Sequence, residues 1–237
     1  MDRIGIVAAL DREVAVFKGG LSRPSYMTVG SHRVARGFFG QNDVAIIISG
    51  VGSRGVRRAA KALIESFRPD LIISTGYAGG LSPEIEAGDI VVTGEVIHES
   101  GRRVFSKSID NFSTSPPIRR GPILTTNRFI PFSHDKKGLY RKFGAEAVDM
   151  ESFFLGEEAS NSNIPFLSVR VVSDDVNRDL PQISNITGGD GRSKTAKIAR
   201  YFLTHPKMIL PSIGILRDIN KATRFLNLYL EDFVSSL

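Results

Sequence analysis

Short runs of apolar, mostly β-branched residues alternate along the first 180 positions with stretches of helical periodicity. The runs have the length of buried strands, and they lie at residues 4–10, 44–50, 71–75, 89–93, 123–126 and 165–172. Strands of this kind, separated by helices, are typical of an α/β domain with a mostly parallel sheet. We therefore predict an α/β fold with a mixed, largely parallel central sheet flanked by helices.

Apolar positions three and four residues apart predict helices over residues 54–67, 138–143 and 148–159. Arg68-Pro69-Asp70 follows the first of these helices and is expected to end it. The segments 27–30 and 32–38 instead alternate polar and apolar positions, as an antiparallel pair at a sheet edge does. Residues 102–121 are polar and contain two adjacent prolines, which predicts a loop.

The chain after residue 180 has a different character. A glycine-rich break at residues 188–191 is followed by basic and apolar positions that alternate. Pro206 and Pro211 divide this stretch, so we predict two or three amphipathic helices. The organisation that follows is an α/β domain over residues 1–180 and a helical extension over residues 181–237, packed on the same domain.

Composition limits the chemistry that the chain can carry. Hydrophobic residues make up 41% and charged residues 24% of the sequence, as in an ordinary soluble globular protein. The sequence has no cysteine, which excludes disulfides, thiolate nucleophiles and Cys-ligated metals, and its four histidines have no short spacing. We therefore expect no metal site.

Charge and targeting signals add two expectations. The net charge of +6 is compatible with nucleic-acid binding, but no zinc-finger spacing or aromatic-interleaved basic motif accompanies it, which favours a solvated basic surface. No signal peptide is recognisable at the start of the sequence, and no apolar stretch approaches the roughly 20 residues of a membrane span. A cytoplasmic location is the expectation.

Glycine-rich segments and acids follow several of the predicted strands. In parallel sheets, ligands bind beyond the carboxyl ends of the strands. Four features fall there: Glu13, Gly50-Val51-Gly52, the turn at residues 76–80, and Ser173-Asp174. Neither glycine segment matches the P-loop or the dinucleotide-binding pattern. The convergence of the four features predicts a ligand site built from several strand ends.

Two carboxylates stand at positions that suit glycosidic chemistry. Glu151 lies beside a methionine at the edge of a predicted helix, and Asp174 ends a buried strand. Acids so placed could hold the hydroxyls of a sugar and protonate a departing base, as cleavage of a nucleoside requires. Structural interpretations remain open, because Asp174 could cap a helix and Glu13 could favour a helix start. Arg170, on an apolar strand, needs a buried carboxylate partner.

Six ordered segments resemble the nucleoside phosphorylase and nucleosidase superfamily, and most closely the 5'-methylthioadenosine/S-adenosylhomocysteine nucleosidases. The matching segments lie at residues 4–14, 49–52, 75–81, 127–130, 148–151 and 169–174. Each is weak alone, whereas the ordered set is specific for the superfamily and less so for the substrate. The resemblance implies a homodimer that binds a purine nucleoside and needs no metal or organic cofactor.

The resemblance also implies catalytic roles. Glu13 matches the acid that activates the attacking water. Asp174 matches the general acid at purine N7, and Ser173 and Arg170 match its supporting residues.

Further matching positions bind the substrate. Phe129 matches the aromatic residue that stacks on the purine, and Ile130 matches the residue whose backbone pairs with the adenine edge. Met150 and Glu151 match the residues that pack under the ribose and bind its hydroxyls. The remaining predicted substrate-binding positions are Leu10, Tyr77, Ala78 and Gly79.

The chain departs from the nucleosidases at three places. Tyr77 replaces a small hydroxyl residue, so its phenol either crowds the anomeric side or points elsewhere. Arg12 places a cation near Glu13, which would suit phosphate as the nucleophile. The long basic tail is similar to that of the hopanoid-biosynthesis-associated phosphorylase-like proteins, which are thought to act on a lipid-linked adenosine. Such a tail would suit contact with a membrane. Alternatively, its helices pack on the domain or on a second subunit.

The sequence thus predicts an enzyme, a nucleosidase that hydrolyses the N-glycosidic bond of a 5'-substituted adenosine and releases adenine. One alternative is phosphorolysis of a nucleoside, including a lipid-linked adenosine. Another is a catalytically inactive nucleoside-binding protein, which Tyr77 motivates. Nucleic-acid binding rests on the basic charge alone.

Overall fold

The structure is a computed structural model that describes residues 2–106, 118–180 and 209–237, with side chains from residue 218 onward in the last segment. In these ranges it contains one twelve-stranded sheet. The strands are β1 Arg3–Ala8, β2 Ser22–Val29, β3 His32–Phe39, β4 Asn42–Ile48, β5 Leu71–Gly80, β6 Ile90–Thr93, β7 Glu95–His98, β8 Arg103–Phe105, β9 Ile118–Arg120, β10 Ile123–Thr125, β11 Ala147–Asp149 and β12 Phe166–Asp174. The helices are α1 Asp11–Gly19, α2 Ser53–Phe67, α3 Ser133–Phe143, α4 Ser152–Asn161 and α5 Ile209–Ser236.

Four neighbouring parallel strands form the centre of the sheet. They run in the order β4, β1, β5 and β12. The strands β2 and β3 extend this centre in antiparallel fashion beside β4, which confirms the predicted edge pair. On the other side, β5 also pairs with β11 in antiparallel orientation. The predicted α/β fold with a mixed sheet is therefore confirmed.

Helices cover both faces of the sheet. On one face, α2 and α4 pack buried side chains such as Leu63 and Leu155 against the strands. On the other face, α1 buries Phe17 in a cluster with Leu226 and Leu230 of α5. The described part of the C-terminal helix thus places its apolar face on the core of the α/β domain, as one of the two interpretations of the tail required.

The C-terminal segment forms one described helix rather than several. We predicted a break at Pro211, but α5 begins at Ile209 and contains this proline in its first turn. Proline is tolerated there, because the N–H groups of a first helical turn have no intrahelical acceptor. Pro206 and the glycine-rich break at residues 188–191 lie outside the described residues. No helix in the described part of the chain is long and apolar enough to cross a bilayer.

Three further predictions of local structure were wrong in detail. The predicted turn at residues 76–80 is the second half of β5, held by pairing with β12 and β11. The predicted loop at residues 102–121 contains β8 and β9, while residues 107–117 lie outside the described part. The predicted helix from residue 148 is preceded by the three-residue strand β11 and begins only at Ser152. Glycine content, polarity and a short apolar run were misleading because pairing with distant strands outweighs local preference.

Candidate functional site

A cavity of about 180 Å³ lies beyond the carboxyl ends of β1, β4, β10, β11 and β12 and beside the second half of β5. It is lined by all the predicted site residues except Arg170, namely Leu10, Glu13, Tyr77, Ala78, Gly79, Phe129, Ile130, Met150, Glu151, Ser173 and Asp174. Val51, from the predicted Gly50-Val51-Gly52 feature, also lines the cavity. Sequence reasoning missed further lining residues: Ala9, Thr126, Arg128, Val148 and Asp149. Several of these lie inside the matched segments, where neighbours had been singled out instead.

A β-bulge directs Asp174 into the cavity. Val172 pairs with Ala78 and Asp174 pairs with Gly79, so Ser173 is an extra residue at the end of β12. Such a bulge re-aims the side chains beside it. Asp174 is buried, and its Oδ1 accepts a hydrogen bond of 2.5 Å from the Ser173 hydroxyl. Ser173 therefore supports Asp174 directly.

A buried lysine forms an ion pair with Asp174. The Lys136 ammonium donates to Asp174 Oδ2, and it also donates to the backbone carbonyls of Asp175 and Arg178, each at 2.9 Å. Its side chain is 0% exposed. Lys136 was missed because the apolar periodicity placed the start of α3 at residue 138. A signal was present, since a lysine in the first turns of a helix opposes the helix dipole and needs a reason to be there.

Glu13 caps the start of α1 and also lines the cavity. It is the third residue of α1, and its Oε2 accepts the backbone N–H of Leu10 at 2.7 Å. Its Oε1 accepts the backbone N–H of Tyr77 at 3.2 Å. Burial raises the pKa of Glu13 above its usual value, and the Leu10 N–H and the Arg170 guanidinium partly offset this rise. The helix-start and catalytic interpretations of Glu13 are therefore compatible in one geometry.

Glu151 lies at the N-terminus of α4 with one oxygen free. Its Oε1 accepts the backbone N–H of Gly52 at 2.8 Å, whereas Oε2 makes no hydrogen bond to any residue in the described part of the chain. Burial and the neighbouring Asp149 carboxylate raise the pKa of Glu151 to about 7. A buried acceptor oxygen that faces a cavity is available to a ligand hydroxyl.

Arg170 lies behind the cavity rather than in its lining. Its Nε donates to Asp149 Oδ2 at 2.7 Å, and its Nη2 donates to the Ser74 hydroxyl at 2.8 Å. The carboxylate partner that its burial demanded is therefore Asp149. Among the described contacts Arg170 makes no hydrogen bond to Asp174, so the supporting role of Arg170 for Asp174 stays a prediction.

Gly76 brings the Arg170 and Glu13 side chains close together. A Cβ at this position would lie 2.7 Å from Glu13 Oε1 and 2.8 Å from Arg170 Nη1, and the φ of Gly76 is +145°. Both the space and the backbone conformation therefore require glycine. As a result, the same guanidinium forms a hydrogen bond with Asp149 and attracts the Glu13 carboxylate electrostatically.

The Tyr77 hydroxyl is directed toward α5 rather than into the cavity. Its hydroxyl is 2.5 Å from the Thr223 hydroxyl on α5, and the Arg12 guanidinium lies 5.0 Å from the centre of its ring. Of the two arrangements expected from the sequence, the structure has the one in which the phenol is turned outward. Arg12 stacks on this ring, so its position near Glu13 in sequence does not make it part of the cavity lining.

Replacing Glu151 with Gln should stabilise the protein at alkaline pH. The folded-state pKa of about 7 exceeds the usual 4.5. Stability from this group is therefore complete below pH 4.5 and is lost as the pH rises through 7. At pH 8 the variant should gain about 3 kcal/mol of unfolding free energy, since one pKa unit corresponds to about 1.36 kcal/mol. Urea unfolding at pH 8 and pH 5 measures this.

The matched control is Glu65→Gln on the exposed side of α2, which should change the unfolding free energy by less than about 0.5 kcal/mol. Equal stability of Glu151→Gln and the wild type at pH 8 would contradict a buried, destabilising carboxylate. A gain at pH 8 that does not shrink by more than half at pH 5 would point to a cause other than ionisation.

Comparison with known proteins places the chain in a family. The family model of the phosphorylase superfamily matches residues 3–203. The chain therefore belongs to the phosphorylase superfamily. In the described residues no group of His, Cys, Asp or Glu is arranged to hold a metal ion.

Individual relatives carry a more specific name. A 5'-methylthioadenosine/S-adenosylhomocysteine nucleosidase of Maridesulfovibrio salexigens is 27% identical over 202 residues, which cover 75% of this chain and 87% of the relative. The crystal structure of the Neisseria meningitidis nucleosidase with methylthio-immucillin-A matches all of both chains at a TM-score of 0.78 and 18% identity. The Colwellia psychrerythraea nucleosidase with adenine matches 73% of this chain and 83% of its own at a TM-score of 0.65 and 25% identity.

Proposed function

We propose that the protein hydrolyses the N-glycosidic bond of a 5'-substituted adenosine and releases adenine. The observation that carries this proposal is the convergence of Glu13, Glu151 and Asp174 on one cavity, beside the exposed ring of Phe129. Glu13 is more than a hundred residues away from the other two acids in the sequence, and a shared ligand site accounts for their meeting. The nucleosidase names of the relatives support the same activity.

The charges around the cavity suit the changes in charge during the reaction. Cleavage of the bond to the base builds positive charge on the ribose ring. Glu13, Asp149 and Glu151 lie around the single guanidinium of Arg170, so this group of side chains has a net negative charge when more than one of the acids is ionised. A fixed negative field of this kind stabilises a cationic transition state without reorganisation.

Glu13 and Glu151 have different tasks in this proposal. Glu13 is held by two backbone N–H groups, and its raised pKa makes it a better base for a water that attacks the anomeric carbon. Glu151 keeps one oxygen free, which can accept a hydrogen bond from a ribose hydroxyl. Met150 would then pack beneath the sugar.

The base would lie against Phe129, whose side chain is 40% exposed and lines the cavity. Stacking on an aromatic ring contributes about 1–3 kcal/mol per base. Ile130 would offer its backbone to the adenine edge, and Asp174 would donate its proton to purine N7. Leaving-group protonation of this kind contributes roughly 10²–10⁴-fold in rate.

The substituent at the 5' position would emerge near the apolar rim formed by Val51 and Phe129, both of which are exposed. An apolar thioether suits such a rim. We further propose that the enzyme acts as a homodimer in the cytoplasm, with residues 1–180 as the catalytic domain and residues 181–237 as an extension of it.

An assay of the full chain with methylthioadenosine, S-adenosylhomocysteine and adenosine tests the proposal. Adenine and the sugar product are measured with and without inorganic phosphate. We expect adenine and a free 5-substituted ribose in phosphate-free buffer. Product that appears only with phosphate, as a ribose 1-phosphate, would show phosphorolysis instead. Tight binding of adenine without turnover of any substrate would show an inactive binding protein.

A further inference from the structure

The stability of the fold does not explain the buried ion pair between Lys136 and Asp174. Lys136 is fully buried, and its three ammonium hydrogens meet three acceptors: Asp174 Oδ2 and the carbonyls of Asp175 and Arg178. Burying an ion pair stabilises a protein little, because desolvation offsets the attraction, and apolar replacements are often as stable. The role of Lys136 is therefore to be found in the carboxylate that it contacts, Asp174.

Both oxygens of Asp174 make polar contacts with fixed side chains. The Ser173 hydroxyl contacts Oδ1 at 2.5 Å, and Lys136 contacts Oδ2. Lys136 is itself immobilised, since its other two hydrogens are used by backbone carbonyls of the segment that follows β12. The carboxyl group consequently has one orientation at the cavity wall, and a cation lies against the oxygen that faces away from Ser173.

We propose that Lys136 is a positioning residue for Asp174, and that its ammonium stabilises the carboxylate left behind when the proton moves to the departing base. This inference rests on the proposed function. In the step, Asp174 takes up a proton from solvent and gives it to purine N7, the bond from C1' to N9 breaks, and its electron pair stays on the purine. Water bonds to C1' and loses a proton to Glu13, which then passes that proton to solvent.

The effect of the cation has two sides that can be measured separately. An adjacent ammonium favours the ionised form of a carboxyl group over its protonated form. Loss of Lys136 should therefore slow the reaction at its plateau and extend activity to higher pH. If Lys136 only joined α3 to the end of β12, its replacement would not shift the pH range of activity.

Other charges near the pair remain in place when Lys136 is changed. Across the cavity lie Glu13 of α1 and Glu151 before α4. The cavity lining also contains Arg128 and Asp149, and Arg170 lies on β12. Further charged or titratable groups on neighbouring elements are His134, Asp135, Lys137, Tyr140, Arg141 and Lys142 of α3, Asp175, Arg178 and Asp179 after β12, Glu146 before β11, and Asp218 of α5, which pairs with Arg178. A shift in the alkaline decline of activity between the wild type and a Lys136 variant is therefore due to Lys136.

The test compares Lys136→Met with Lys137→Met, its exposed neighbour on α3. Adenine release by the full chain is followed from pH 5 to 10. In Lys136→Met, kcat should fall about 10–100-fold, less than the roughly 10²–10⁴-fold of complete general acid catalysis, because Asp174 itself remains. The pH at which kcat/KM declines on the alkaline side should rise by about one unit or more. Lys137→Met should match the wild type in both respects.

Two further variants keep the proposal falsifiable if Lys136→Met does not fold. Lys136→Gln lacks the charge but can still donate to the carbonyls, and it should show the same alkaline displacement. Lys136→Arg keeps the charge, and its alkaline decline should stay where the wild type has it. A decline that stays in place in a neutral variant, or moves by a full unit in Lys136→Arg, would overturn the proposal.

The outcomes also separate this inference from the proposed function. If the wild type and Lys137→Met release adenine while the neutral variants show no displacement, Lys136 has only a structural role and the nucleosidase activity stands. If the wild type releases no adenine from any 5'-substituted adenosine, both proposals fail. In an Asp174→Asn background, Lys136→Met should leave the residual kcat unchanged, because the lysine acts through Asp174.

Discussion

Replacing Asp174 with Asn should lower the rate of adenine release by about 10³-fold, because the amide cannot supply the proton that purine N7 requires. The loss should appear in kcat more than in KM, since the amide keeps the size of the side chain and one acceptor oxygen. Steady-state kinetics with methylthioadenosine measures this. Asp175→Asn is the matched control, because the Asp175 carboxylate caps the backbone N–H of Asn177 and is absent from the cavity lining.

The same substitution has a second expected consequence. Asp174→Asn leaves the Lys136 ammonium buried without a counter-ion, which should cost about 3 kcal/mol of unfolding free energy. The double variant with Lys136→Met should recover most of that stability and none of the activity. Retention of near-wild-type adenine release by Asp174→Asn would show that another group, or none, protonates the base.

Replacing Arg170 with Met should be the most destabilising single change at the site. Arg170 is 1% exposed, and its guanidinium neutralises Asp149 and lowers the pKa values of Glu13 and Glu151. Its loss leaves a buried cluster of carboxylates, with an expected cost of about 3–5 kcal/mol in unfolding free energy. Urea unfolding measures this cost, and the loss should be larger at pH 8 than at pH 5, because these acids are more ionised at higher pH.

A surface ion pair provides the comparison. Arg103 pairs with Glu95, and both side chains are partly exposed. Arg103→Met should therefore cost less than about 1 kcal/mol, as exposed pairs usually do. Asp149→Asn combined with Arg170→Met should recover part of the stability. Similar losses in Arg170→Met and Arg103→Met would mean that the buried cluster does not depend on the guanidinium.

Local sequence signals were sufficient for the strands and for the segments that form the cavity. The β-branched runs predicted β1, β4, β5 and β12, because buried parallel strands need apolar residues on both faces. The order of the matched segments predicted most of the cavity lining as well. Both are properties of short stretches of chain, in which a period of two or 3.6 residues is visible directly.

Contacts between distant elements were not visible in the same way. Arg170 needed a carboxylate partner, and the sequence did not show which one. Asp149 and Asp174 both lie at strand ends. The bulge at Ser173 and the short strand β11 decide between them. Likewise, Tyr77 could turn inward or outward, and Thr223 of α5 settles its direction across 146 positions of sequence.

What the sequence alone determined is the class of fold, the strands at its centre, and the three acids that face one cavity. The tertiary structure decided the partners of those acids: Lys136 for Asp174, Arg170 for Asp149, and a backbone N–H for Glu151. The physical reason is that periodicity and composition report on burial within one element. The field at a carboxylate depends on which other elements the sheet brings beside it, and that order is set only when the strands pair.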